Sequence, residues 1–276
     1  MGVIFDKAKK AADYISSKIS DKYEIAVVLG SGLGSISDSL ENVTSIKYSD
    51  IPNMPSSTAM GHKGEFVFGE LYGKKVVAMN GRLHYYEGYS MQDITLPIRI
   101  LKLLGVSTLI ITNAAGGINS DFERGDIMLI NDHINFMGDN PLIGPNEDEF
   151  GPRFPDMSEP YSEKYISKVK EIAEKLGYAD KLKEGVYIGF TGPSFETKAE
   201  LKFAKIAGAD TVGMSTVPEV IVANHSGIDV LGLSIVTDIA DPDREIKSIS
   251  GEEVIEVANK ASKIVLEIIK EFIKEL

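Results

Sequence analysis

The chain has 276 residues, a formal charge of −12 at neutral pH, a pI near 4.9 and no cysteine. Its length suits one α/β domain with a substantial core, and its acidic balance excludes a partner held through a nucleic-acid backbone, which needs a basic face. A chain without cysteine has neither a disulfide framework nor thiolate chemistry.

Ile4, Phe5, Ala8, Ala12, Ile15 and Ile19 recur at helical spacing and predict an opening amphipathic helix. Short apolar, β-branched runs then predict strands over 25–29, 76–79, 108–112, 127–130, 186–190, 211–214 and 230–236. Helical patterns fall over 93–104, 163–176, 198–206, 218–226 and 252–275. Doubly buried strands alternating with helices predict an α/β fold, with a mixed, mostly parallel central sheet flanked by helices. No repeat or linker divides the chain, so residues 1–276 read as a single domain. The longest irregular stretch, 136–160, is rich in Pro, Gly and Asn; loops of that length are usually functional or disordered. The C-terminal stripe Val254, Val257, Ala258, Ala261, Val265, Ile268 and Phe272 predicts a helix packed on its own core. No apolar run approaches the roughly 20 residues of a membrane span, and no secretion signal opens the chain; a cytoplasmic protein is expected.

Gly30-Ser31-Gly32-Leu33-Gly34 follows the first apolar strand. Its glycines let backbone N–H groups approach an anion, and Ser31 adds a hydroxyl. The run is neither a dinucleotide fingerprint, because Ser35 stands at the third glycine position, nor a Walker loop, because no Gly-Lys-Ser/Thr follows. Arg82 and His84, an i, i+2 pair after the 76–79 strand, project to one side of an extended chain. Arginine supplies a planar fork of charged donors, and histidine can share a proton with a phosphate near neutral pH. The four histidines show no zinc-ligand spacing, and no metal is expected.

A second constellation is Gly192-Pro193-Ser194-Phe195-Glu196-Thr197 with Gly213-Met214-Ser215-Thr216-Val217-Pro218-Glu219. It sets a stacking aromatic, a carboxylate, a thioether and a hydroxyl at the ends of two apolar strands, where open α/β sheets bind ligands. That set suits a flat N–H-bearing heterocycle joined to a sugar.

With Gly81-Arg82-Leu83-His84-Tyr85-Tyr86-Glu87-Gly88-Tyr89, these runs resemble the trimeric class of purine nucleoside phosphorylases, from about residue 25 to the C-terminal helix. The resemblance implies a phosphate site of Ser31, Arg82, His84, Ser215 and the Ala114 N–H. It implies a nucleoside site of Tyr86, Phe195, Glu196, Met214, Thr237 and Asp238, with His62 at the mouth. Phe154 matches an aromatic donated by the neighbouring subunit of a homotrimer. His84, Glu196 and Asp238 take the catalytic roles. The family needs no organic cofactor: inorganic phosphate is a co-substrate that attacks the anomeric carbon, giving a free base and α-(deoxy)ribose 1-phosphate from inosine, guanosine or adenosine-type substrates.

Two positions depart from the family. Asp238 stands where the 6-oxopurine enzymes carry an asparagine. Ionised, it only accepts and faces acceptors at O6 and N7; protonated, it can donate to N7; and as a carboxylate it suits a 6-amino group. Glu196 instead complements the N1–H of a 6-oxopurine. Gly251 falls near a family histidine that contacts the 5′-hydroxyl, which leaves 5′-methylthio nucleosides open as substrates. A calcium loop over Asp238, Asp241, Asp243 and Glu245 fails, because Ile246 stands where such a loop needs glycine. A nucleoside-binding protein without turnover has no use for an Arg-His anion site, and a nucleoside hydrolase would be expected to carry an aspartate-rich metal site.

Overall fold

The computed structural model describes residues 2–30, 34–58, 63–244 and 251–276. Its strands are β1 (Ile25–Leu29), β2 (Glu41–Lys47), β3 (Glu65–Leu71), β4 (Lys74–Asn80), β5 (Thr108–Gly117), β6 (Ile127–Asn135), β7 (Leu182–Gly189), β8 (Thr211–Gly213) and β9 (Asp229–Ile239). The helices are α1 (Val3–Ser16), α2 (Met91–Ile94), α3 (Leu96–Leu103), α4 (Glu163–Leu176), α5 (Lys198–Ile206), α6 (Val217–His225) and α7 (Gly251–Glu275).

The strands form one sheet in the order β2-β3-β4-β1-β5-β8-β7-β6-β9, and a further β5–β9 pairing joins its far end back to the middle. Strands β5, β8, β7, β6 and β9 therefore close a five-membered ring beside an open limb. Pairings of β1 with β4 and β5, of β5 with β9, and of β7 with β6 and β8 are parallel. The remaining pairs, β2–β3, β3–β4, β5–β8 and β6–β9, are antiparallel. The result is an α/β fold with a mixed, mostly parallel sheet flanked by helices.

Burial explains the strands that composition announced. All five residues of β1 are buried, as are Ile127 to Ile130 of β6 and Val230 to Thr237 of β9. Two strands escaped the sequence reading. Along β2 only Ile46 is buried, so this edge strand carries no apolar signature. Strand β3 turns into β4 through Tyr72 (φ 51°) and Gly73 (φ 75°), a two-residue hairpin with left-handed central residues. A second correction concerns the helix expected over 93–104. It breaks at Thr95, because the ring of Pro97 requires a fresh first turn, and Arg99 Nη1 donates to Thr95 Oγ1 at 2.6 Å across the junction.

The long segment 136–160 forms neither helix nor strand, yet local caps hold it. Asn135, Asn140 and Asp156 side chains accept from the backbone N–H two residues on, at 2.9–3.2 Å. Glu147 accepts from the backbone N–H groups of Ile4 and Phe5, so the loop caps α1. Helix α7 buries Ala258, Ala261, Val265, Ile268 and Phe272, and Phe272 meets Tyr165 of α4 edge-on at 5.1 Å.

Candidate active site

The C-terminal ends of β1, β5, β8 and β9 open into a cavity of about 180 Å³, bounded also by the loop after β4 and by Val254 of α7. One end is built around the Arg82 guanidinium and its buried partner Glu219. Arg82, only 1% exposed, follows β4, and the Tyr48 hydroxyl and Ser57 hydroxyl donate to the carbonyls of Gly81 and Arg82 at 2.7 and 3.1 Å. Its Nη1 lies 3.0 Å from Ser215 Oγ, 3.0 Å from Thr216 Oγ1 and 3.2 Å from Glu219 Oε2. Its Nη2 donates to the Thr112 carbonyl.

This clamp depends on a strained residue. Thr216 sits at φ 70°, ψ −55°, a costly conformation for a β-branched side chain. Its N–H donates to Glu219 Oε2 at 3.2 Å, and Asn113 Nδ2 donates to its hydroxyl at 2.9 Å. Thr216 and Glu219 thus form the capping box of α6, and the strain aims Ser215 and the start of that helix at the cavity. Burial pushes the Glu219 carboxyl up, while Arg82 and His84 pull it back.

His84 lines the same end. Its N–H and Nδ1 meet Glu87 Oε1 at 2.7 and 3.1 Å, and its ring stacks on Tyr86 with centroids 4.7 Å apart. Burial opposes ionisation of Glu87, but hydrogen bonds from His84 and from Thr58 outweigh it and hold the carboxyl at about 2. A permanent carboxylate therefore fixes the imidazole from its Nδ1 side.

The other end is aromatic and acidic. Phe195 is 56% exposed and lines the cavity with Glu196, Met214, Thr237 and Asp238. Gly192 makes the approach possible: it adopts φ 64°, and a Cβ there would lie 2.4 Å from Met214 Sδ. Glu196 Oε1 is buried without a hydrogen-bond partner. Burial raises the Glu196 carboxyl, and the facing charge of Asp238 raises it further. Burial also raises Asp238, against the hydrogen bond from Thr237 and the positive charge of Arg124.

Asp238 is aimed by a bulge. The β5–β9 register pairs Ala115 with Val236 and then Gly116 with Asp238, leaving Thr237 as the extra residue. The Thr237 hydroxyl lies 3.3 Å from the Ala115 carbonyl and 2.9 Å from Asp238 Oδ1, and Arg124 Nε donates to the Thr237 carbonyl at 3.0 Å.

Of the residues singled out in the sequence, Arg82, His84, Ala114 and Ser215 line one end of the cavity, and Tyr86, Phe195, Glu196, Met214, Thr237 and Asp238 line the rest. Ser31 and His62 lie outside the described residues. Phe154 is 86% exposed and lines a separate surface groove with His133, Asn140 and Arg153. Glu219, Asn113 and Arg124 went unassigned in the sequence reading; the Thr216-x-x-Glu219 spacing of a capping box was the one signal for Glu219. His133 and His225 sit apart from this cavity, in β6 and α6. The acidic loop after β9 is neutralised by protein cations, Lys205 Nζ lying 2.6 Å from Asp241 and 2.8 Å from Asp243, which disposes of the calcium-loop reading at those positions. Among the described residues, no group of three His, Cys, Asp or Glu side chains is placed to hold a metal ion.

The sequence pattern of the phosphorylase superfamily matches residues 24–274. The chain belongs to that superfamily. Within it, the chain is 49% identical to purine nucleoside phosphorylase 1 of Bacillus subtilis over 98% of both chains. A Schistosoma purine nucleoside phosphorylase solved with hypoxanthine superposes with a TM-score of 0.94 at 39% identity, covering 98% of this chain and 97% of the other. The Schistosoma mansoni enzyme solved with adenosine gives a TM-score of 0.93 at 40% identity over the same shares.

Proposed function

We propose that this chain is a purine nucleoside phosphorylase, a pentosyltransferase that cleaves the N-glycosidic bond with inorganic phosphate as co-substrate. The observation that carries the reading is the single cavity with Arg82, His84 and Ser215 at one end and Phe195, Glu196 and Asp238 at the other. The overall charge of −12 repels anions, so a phosphate must be held by this local cluster and by the start of α6.

In the proposed reaction a phosphate oxygen bonds to C1′ as the C1′–N9 bond breaks. The bonding pair passes to the purine, and a proton reaches N7. Arg82, Ser215, the Ala114 N–H and Ser31 place the anion, and His84 holds it through the imidazole that Glu87 fixes. Preorganised donors of this kind stabilise charge where it develops and remove the entropic cost of bringing the reactants together. Phe195 stacks on the base, Met214 and Tyr86 bound the ribose, and His62 sits at the mouth. Asp238, when protonated, supplies the N7 proton, with the Thr237 hydroxyl 2.9 Å from its Oδ1. Glu196 accepts the N1–H of hypoxanthine or guanine. The same Asp238 as a carboxylate accepts from a 6-amino group, so the enzyme retains 6-oxopurine activity and tolerates 6-aminopurines better than asparagine-bearing members do.

The whole chain acts as one domain and the working form is a homotrimer in the cytoplasm. The free position of Phe154 supports an aromatic lent to a neighbouring site. A second substrate class, 5′-methylthio nucleosides, is favoured by one observation: Val254 lines the cavity near the start of α7, where Gly251 has no side chain.

Turnover of inosine, guanosine, adenosine and methylthioadenosine, each with and without phosphate, tests the proposal. Cleavage only with phosphate is expected. Cleavage without it would mark a hydrolase, and binding without turnover a nucleoside-binding protein.

A further inference from the structure

The two carboxylates of the base pocket stand on separate segments, and a polar node whose residues do not line the cavity ties those segments together. Glu196 immediately precedes Thr197, the N-cap of α5, whose hydroxyl accepts from Glu200 N–H at 3.2 Å in a full capping box. Asp238 lies near the end of β9, three residues before Asp241. In the last turn of α5, Lys205 Nζ reaches Asp241 Oδ1 at 2.6 Å, Asp243 Oδ2 at 2.8 Å and Ser120 Oγ at 2.9 Å.

Asp241 is the hub. Its side chain is 1% exposed, and it also accepts from the Ser120 hydroxyl at 2.9 Å and the Asp243 N–H at 3.1 Å. Arg244 Nε stands 3.4 Å from the same carboxylate, and its guanidinium donates to the Ser120 carbonyl. Ser120 follows β5, whose residues Ala114, Ala115 and Gly116 line the cavity. Three walls of the purine pocket therefore meet at one lysine. Hydrogen bonds from Lys205 hold Asp241 below the usual carboxylate range against its burial, as a working ion pair requires.

The apolar contacts of α5 do not supply this constraint. Leu201 and Ala204 cluster with Ile118, Phe190 and Ala240, and Phe203 meets Phe136 at 5.1 Å, contacts that hold the helix down without the directionality of hydrogen bonds. A charged, buried, multiply hydrogen-bonded node sets position instead, because such bonds are short and directional.

We propose that Lys205 is a positioning residue for base recognition, anchored on Asp241, which fixes the placement of Glu196 relative to Asp238. The proposal rests on the assignment of those two carboxylates to the base. Lys205 touches no substrate. It selects for a purine of a given width and donor pattern by holding the two acceptors at one separation, and it leaves the phosphate end, built on Arg82 and α6, alone.

The test is steady-state kinetics of Lys205→Met and Lys205→Arg on inosine and adenosine, with hypoxanthine affinity measured separately by calorimetry. Lys205→Met should raise the nucleoside KM and the hypoxanthine Kd about tenfold and change the inosine-to-adenosine preference, with the phosphate KM within about twofold. Lys205→Arg, which keeps charge and reach, should restore most of the difference. Nucleoside and phosphate KM rising together, or a nucleoside KM within twofold of wild type, overturns the positioning role. A wild type that binds hypoxanthine without turnover, and loses that binding on Lys205→Met, sinks the phosphorylase reading and keeps the node. A wild type that neither turns over nor binds the base overturns both.

Discussion

Replacing Asp238 by asparagine isolates the position where this chain parts from the 6-oxopurine pattern. Asp238 projects from the β5–β9 bulge into the cavity, with Thr237 and Arg124 as stabilising partners among the described residues and Glu196 as a like charge. An asparagine amide donates to O6 and N7 of a 6-oxopurine, where an ionised aspartate places an acceptor against acceptors. Mispairing one buried polar group costs about 1–3 kcal/mol, or about 5- to 150-fold in kcat/KM. Asp238→Asn should therefore raise the inosine-to-adenosine ratio of kcat/KM by that factor near neutral pH. Adenosine gains little, because an amide turned to accept from the 6-amino group forfeits part of its bond to N7.

The pH dependence sharpens this test. Burial raises the carboxyls of Asp238 and Glu196 in the folded protein. Groups with raised folded pKa values stabilise the fold fully below their unfolded values, near 4, and that contribution is lost as pH rises through the folded values. Wild type should lose melting temperature relative to Asp238→Asn as pH climbs from about 4 toward 8, and the kinetic gap should widen over the same range as Asp238 ionises. Paired measurements of kcat/KM at saturating phosphate and of thermal melting across that range decide the matter. A ratio unchanged within twofold, or a difference independent of pH, refutes the assignment of Asp238 to the base.

Glu219→Gln removes the buried counter-ion of Arg82 while keeping a side chain that can cap Thr216. Leaving a buried charge without its partner costs about 3 kcal/mol or more, so the ligand-free protein should melt lower and phosphate should restore more stability than in wild type. An equal phosphate-induced shift in both proteins would count against that role. Glu87, held at about 2, stabilises the fold above its ordinary value of 4.5 and loses that contribution as pH falls toward 2. Glu87→Gln should flatten this acid limb of the melting curve and raise the phosphate KM by loosening His84; parallel curves would refute the anchoring. Phe154→Ala should raise the nucleoside KM about tenfold with phosphate KM unchanged, the size of one lost aromatic contact with the base or ribose. No change in nucleoside KM would remove Phe154 from the site.

What could be read in advance follows the range of the forces involved. The apolar runs of β1, β6 and β9 were legible because burial on both faces writes itself into consecutive residues. Edge strand β2 was not, since six of its seven residues remain exposed or unconstrained by the core. The cavity residues were legible as short motifs, because backbone geometry near a bound anion or base demands glycine at fixed places. Their mutual arrangement was not, and two features explain why. The β5–β9 bulge that turns Asp238 inward depends on a register shift between strands more than a hundred residues apart, and no local pattern encodes it. The left-handed Thr216 contradicts its own side-chain preference and is held where Arg82, Asn113 and Glu219 converge on it from the loop after β4, from β5 and from α6. Both departures from local rule sit in or beside the cavity, where strain is tolerated because the surrounding contacts over-determine it. The same logic separates Asp238 from Asp241. Their sequence neighbourhood is one acidic run, yet Asp241 is locked by Lys205 and held ionised, while Asp238 faces the cavity with its carboxyl raised. A carboxylate already neutralised by the protein has nothing left to offer a substrate; one kept short of partners does.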